Sequence, residues 1–185
     1  MDNSQNVKFR PLEALDKSQY RQIRLECLLK FPDNFGTLYR DEVKKTHLKF
    51  DKYLEKYNSN NFLFGAFKNQ NLIGICGYSN EARTKTSHRG VISHMFVKSE
   101  FAGLGIGTEL LKATIDKAFE NRELDSIELG VVSSNTKAIK IYRSVGFVQF
   151  GFLDKYYKYE GKYWAFTFMI LARESYLESR YNLRK

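Results

Sequence analysis

The sequence predicts a single α/β (α+β) domain built on a mixed sheet, and three observations carry that prediction. Residues 62–79 and 147–171 read as β-hairpins, because apolar, alternating runs are joined by the short polar turns Asn69-Gln70-Asn71 and Glu160-Gly161. Between the hairpins the pattern changes to strand, helix, strand, helix, which requires a parallel crossover. Ahead of both lie a short strand and two helical stretches. The order β-α-α-β-β-β-α-β-α-β-β implies a mostly antiparallel sheet of about six to seven strands with a parallel central pair, flanked by about four helices.

Each element has a local reason. Residues 7–12 form a short strand closed by Pro11, and residues 18–29 place Ile23, Leu25, Cys27, Leu28 and Leu29 among Arg and Glu, as a helix does. That helix must stop ahead of Pro32. Residues 31–36 are a loop, and residues 41–57 are expected to form one second helix. Residues 90–97 follow the first hairpin as a further strand. The helix at 108–120 gathers Leu110, Leu111, Ile115, Ala118 and Phe119 on one side. Residues 127–132 are a strand, and residues 136–145 a helix with Asn135 as N-cap and Gly146 at its C-terminal end. The domain is expected to span 1–172, with 173–185 as a C-terminal tail able to form a helix.

Composition bounds the function. A chain of 185 residues fits one domain and needs no disulfide staples, and 43% apolar content excludes a disordered chain. The longest strongly apolar stretch, residues 163–172, is about half of the ~20 residues that a membrane helix needs. The polar start, residues 1–6, lacks the apolar segment of a secretory signal. Cys27 and Cys76 are far apart and lack a metal-ligand spacing, so they read as reduced core residues of a cytoplasmic protein without a metal. The net charge of +9 favours polyanionic partners: nucleic acid, an anionic membrane surface or a phosphorylated cofactor. No continuous basic stripe is visible. The lysines of 44–56 alternate with Asp51 and Glu55 and read as a solvated helix face.

The segment Ala102-Gly-Leu-Gly105-Ile-Gly107-Thr108 follows a strand and opens a helix. Glycine lets a ligand approach the backbone, and the unpaired amides of a helix start attract phosphate. The segment lacks the Lys of a Walker loop. It also lacks the third glycine of a dinucleotide fingerprint, and no acid ends the next strand. The second segment, Asn135-x-x-Ala138-x-x-x-Tyr142-x-x-x-Gly146-Phe147, puts Asn135 and Tyr142 on one helix face.

Together the two segments resemble the GNAT superfamily of acyl-CoA-dependent N-acyltransferases. Its glycine motif, Arg/Gln-x-x-Gly-x-Gly/Ala, is matched except that Ala102 stands where Arg or Gln is usual, and its Asn-x-x-Ala-x-x-x-Tyr-x-x-x-Gly-Phe motif is matched in full. The resemblance covers nearly the whole chain. It implies a splayed central parallel pair, acetyl-CoA as co-substrate, and acetyl transfer to a primary amine by direct attack in a ternary complex. By the same resemblance Met95, Phe96 and Val97 offer backbone partners to the pantetheine arm, beside Asn135 and Ala138. Gly103, Leu104, Gly105, Ile106, Gly107 and Thr108 would hold the pyrophosphate. Tyr142 takes the place of the general acid, and strand amides near Phe96 could hold the oxyanion.

The base is not identified by the resemblance. Members that carry one on the strand before the glycine loop have it where Val91 and Ser93 stand here. His94 is one residue off, so strict alternation turns it to the opposite face, whereas a local bulge where this strand splays would shift the alternation by one and bring it into the site. Remaining candidates are Ser93 through a water, Glu26, Glu81 and His88. The acceptor region implied by the resemblance contains Glu26, Phe31, Phe35, Tyr156, Tyr157, Tyr163 and Trp164, an aromatic set poor in acids that argues against a polyamine. Expected acceptors are a small-molecule amine, an amino acid or a peptide N-terminus, with no membrane or nucleic-acid partner; a homodimer is left open. Two other classes compete: a non-catalytic acyl-CoA-binding module, suggested by Ala102 and the missing strand base, and a basic nucleic-acid-binding protein, suggested by the charge and by Tyr156, Tyr157, Tyr159 and Trp164.

Overall fold

The computed structural model describes residues 6–56, 58–80 and 83–182. Tyr57, Glu81 and the last three residues, all part of the sequence expectations, lie outside them. The alternating segments form β1 (Val7–Pro11), β2 (Asn61–Lys68), β3 (Asn71–Asn80), β4 (Arg89–Val97), β5 (Ser126–Val132), β6 (Val148–Tyr159) and β7 (Lys162–Ala172). They make one sheet in the order β1-β2-β3-β4-β5-β7-β6, antiparallel except between β4 and β5.

The helices are α1 (Lys17–Lys30), α2 (Tyr39–Glu42), α3 (Asp51–Glu55), α4 (Ile106–Ala118), α5 (Thr136–Val145) and α6 (Arg173–Asn182). The expected four become six because the second breaks in two and the tail is helical. The break has a side-chain cause: the Asp51 carboxylate accepts the Leu48 N–H at 2.9 Å, a local bond that competes with helix and restarts it. Glu42 meanwhile turns inward between Arg24 and Lys45. The tail helix is docked through Tyr176, which is buried against Phe119 and donates its hydroxyl to Asp116 at 2.9 Å.

Two apolar layers sandwich the sheet. On one face Leu110, Leu111 and Ile115 of α4 pack with Ile127, Leu129, Met169 and Leu171. On the other, Tyr20, Ile23, Cys27 and Leu28 of α1 join Phe50 and Leu54 against Leu63, Ile75 and Phe96. No described helix is long and apolar enough to cross a membrane.

Two irregularities matter most. The parallel pair holds for only three residue pairs, Arg89↔Ser126, Gly90↔Ile127 and Val91↔Glu128, and the strands then part. Just beyond, β4 carries a bulge: Gly77 pairs Ser93 and Ile75 pairs Phe96, so His94 and Met95 together oppose Cys76. His94 takes the left-handed conformation that the bulge requires, φ +56°. On the outer edge of the sheet, β6 is interrupted twice, around Phe150 and again between Leu153 and Tyr157.

Candidate active site

The parting of β4 from β5 opens a cleft of about 1090 Å³, lined by both strands, the glycine loop, α5 and the β6–β7 hairpin. This is slightly above the roughly 300–1,000 Å³ typical of small-molecule sites. Past Val91 the side of β4 turned towards β5 has no strand partner, so alternate N–H and C=O groups of that edge are open to a ligand. Met95, Phe96 and Val97 lie on this open stretch.

Gly103 and Gly105 adopt φ +80° and +75°, which only glycine takes without strain, and a Cβ on either would meet no protein atom within 4 Å. Both therefore present bare backbone to open space. Gly105 caps α4, so the first-turn amides that follow it have no acceptor four residues back and point out of the helix start. Gly107 and Thr108 line the cleft, whereas the side chain of Leu104 is half exposed outside it. Ala102 costs this cradle a side chain but no amide. Lys137 and Lys140, one turn apart on α5, also line the cleft and add positive charge. The donor set suits the diphosphate of acetyl-CoA.

On α5 the Asn135 side chain accepts the Ala138 N–H at 3.2 Å, and Gly146 closes the helix at φ +107° with Phe147 N–H bonded to the Tyr142 carbonyl. Both caps match the sequence expectation. They hold Tyr142 edge-on to Phe147 with only 7% of its surface exposed, on the cleft wall. Burial raises the pKa of the phenol, which keeps its proton at neutral pH.

The opposite wall corrects the face assignment of His94. Up to Ser93 the strand alternates as expected, with Ile92 in the α4 layer. The bulge then repeats a side, so Ser93 and His94 both face the α1–α3 layer. His94 packs edge-on against Phe50 at 5.2 Å. Its Nδ1 lies 3.3 Å from Ser93 Oγ, and Lys49 Nζ donates to that same oxygen at 3.4 Å. A lysine ammonium can only donate, so Ser93 accepts from Lys49 and its own O–H is free for His94 Nδ1. Nε2 is buried without a partner. Burial, with Arg24, Lys49 and Lys45 nearby, holds the imidazole well below its ordinary pKa, so it is neutral.

Other candidates separate clearly. Ser93, Phe31 and Phe35 line the cleft, with the Phe31 ring 5.8 Å from that of Phe96. Glu26 is instead tied to Lys30 and Lys98 outside it, and His88 is exposed at the far end of β4, where its carbonyl accepts Asp125 N–H. Neither is among the residues that line the cleft. Tyr163 is half exposed beside Lys155 and Lys158, off the cleft wall. Tyr156 and Tyr157 do line the cleft, and Tyr156 is stacked on Phe166 at 4.3 Å. A Cβ on Gly36 would collide with the Tyr157 ring, so the 31–36 loop and the hairpin meet there. Sequence reasoning missed Arg24, Lys49 and Glu128. Arg24 is buried against Glu42 at 3.1 Å; Glu128 lines the cleft, bound to Arg89 at 2.6 Å. Only the pairing across strands and helices brings them here.

A sheet opened at a three-rung parallel pair, with a glycine-started helix aimed into the gap, defines the acyl-CoA transferase class of fold. The model of the acetyltransferase (GNAT) family matches residues 21–147, and the chain belongs to that family. It is similar to human N-alpha-acetyltransferase 30, 27% identical over 148 residues, which is 80% of this chain but 40% of that protein. The chain thus spans less than half the length of this curated relative. Among solved structures, a GNAT-family acetyltransferase of Streptococcus pneumoniae has a TM-score of 0.81 at 22% identity, covering 90% of this chain and 99% of its own. A putative acetyltransferase of Salmonella typhimurium, solved with its cofactor acetyl-CoA, has a TM-score of 0.75 at 19% identity, covering 91% and 94%. These likenesses show the fold.

Proposed function

We propose that the protein is an N-acetyltransferase that moves the acetyl group of acetyl-CoA to the α-amino group of a peptide or amino acid, by direct attack in a ternary complex. One observation carries the reading: the glycine-loop amides and the protonated Tyr142 open into the same cleft as a separate, aromatic acceptor wall. The similarity to an N-alpha-acetyltransferase supports an α-amine as acceptor. Two buried, free cysteines support a reducing, cytoplasmic setting.

In this reading the amine nitrogen attacks the thioester carbonyl, and the oxyanion is met by open N–H groups of β4 near Phe96. The C–S bond then breaks. Tyr142 donates its proton to the departing sulfur, and because its pKa is raised above that of a thiol, the transfer accompanies cleavage and does not precede it. An amine of pKa near 10 must first lose a proton. A water at Ser93 takes that proton towards solvent, while the neutral His94 fixes the serine hydroxyl. Thiol release from acetyl-CoA, followed over a panel of peptides, amino acids and polyamines, tests the proposal. Turnover with α-amines supports it, and acetyl-CoA binding without turnover of any amine points to the binding-module alternative.

A further inference from the structure

The acceptor wall carries an imbalance of charge. Arg24 of α1 and the uncharged Ser93 and His94 of β4 line it, while Lys45 and Lys49, from the segment between α2 and α3, stand behind these residues, Lys45 on Glu42 and Lys49 on Ser93. Two nearby acids are paired with cations: Glu42 is shared between Arg24 and Lys45, and Glu128 is bound to Arg89. Asp51 holds the Leu48 N–H through Oδ2 beside His47, and its Oδ1 is buried without a hydrogen-bond partner among the described residues.

Lys49 stands apart. Its ammonium makes no ion pair with a described carboxylate; its contacts are Ser93 Oγ at 3.4 Å and the Phe50 ring at 5.1 Å. The side chain is reached from solvent, yet protein encloses its charged end enough that burial, and then Arg24, lower its pKa. A cation held against another cation gains more from an incoming anion than a freely hydrated one does. Ser93 lies just past the last rung of the parallel pair, so this ammonium borders the point where the cleft opens.

We propose that Lys49 is a specificity-determining residue that selects acceptors carrying a carboxylate close to the reacting amine. The inference rests on the N-acetyltransferase reading and deepens it. Two sources offer that chemistry: the α-carboxylate of a free amino acid, and an acidic side chain in the first residues of a peptide.

The experiment compares kcat/KM for free aspartate, free alanine, and C-terminally amidated peptides beginning with Asp, Ala or Lys. It uses the wild type, Lys49→Gln and Lys49→Glu, with melting curves confirming that each variant folds. Wild type should favour the carboxylate-bearing acceptors roughly 10–100-fold, the range of a charge-assisted hydrogen bond, and mainly through KM. Lys49→Gln should flatten the preference, and Lys49→Glu should turn it towards the Lys-first peptide. Selection among the amidated peptides assigns the side chain as source, and selection of the free amino acids alone assigns the α-carboxylate. Equal kcat/KM across the panel in wild type, or an acidic preference that survives Lys49→Glu, overturns the role of Lys49 while leaving the acetyltransferase reading intact. No turnover with any acceptor overturns both.

Discussion

Replacing His94 by Gln should remove a measurable share of the protein's sensitivity to acid. The imidazole is buried against Phe50, surrounded by Arg24, Lys45 and Lys49, and its folded-state pKa lies well below the ordinary value of about 6.5. The unfolded chain therefore binds the proton first. Stability from this group is fully present above about pH 6.5 and is lost as pH falls from there towards the folded pKa. For one such group the loss between pH 7.5 and 5.5 is on the order of 1 kcal/mol, which for a chain of this size lowers Tm by a few degrees. Glutamine can still meet the Ser93 hydroxyl but does not titrate. Urea or thermal melts of wild type and His94→Gln at pH 7.5, 6.5 and 5.5 give the double difference. Wild type should lose on the order of 1 kcal/mol more than the variant over that interval. Parallel losses in the two proteins would refute the buried, neutral imidazole and the bulge-driven placement behind it.

Two further outcomes follow from the cofactor side of the cleft. Gly105→Val should cost about 1–2 kcal/mol, since a branched side chain must adopt φ +75°, and should abolish the rise in Tm produced by acetyl-CoA. Because a Cβ there meets no protein atom, an undiminished rise would place the diphosphate elsewhere. Tyr142→Phe should lower kcat roughly 10²–10⁴-fold in a thiol-release assay while keeping the acetyl-CoA-induced Tm shift. A near-normal kcat would leave the tyrosine its packing against Phe147 and nothing more.

What was legible in the sequence was local chemistry. Turn residues announced both hairpins, glycines at alternate positions announced the loop, and Asn135 and Gly146 bracketed α5 at the residues observed. Features that depend on partners distant in the chain were not legible. A bulge was foreseeable as an alternative where β4 splays, but that it falls at His94 depends on the extra residue fitted against Cys76 of β3, which alternation along β4 alone does not decide. Residues 41–57 looked like one helix because their apolar spacing allows it, whereas Asp51 and the burial of Glu42 against Arg24 decide otherwise. The acceptor wall takes Arg24 and Ser93, with Lys49 behind the serine, and its charge appears only once α1, the following segment and β4 are packed together.

The interruptions of β6 also bear on how the protein behaves in a crowded solution. An outermost strand of twelve residues with Val148, Phe150, Phe152 and Leu153 at least half exposed is the kind of edge on which a neighbouring chain can add itself. Its ladder is cut into runs of two, three and three rungs, at 148–149, 151–153 and 157–159, and Lys155 bends the longer gap at φ +56°. A visiting strand finds no straight template longer than a single turn's worth of pairing. Interruptions of this kind make an apolar outer strand a poor template for a neighbouring chain. Mutations that straightened β6 would be expected to surface first as aggregation, before any change in chemistry.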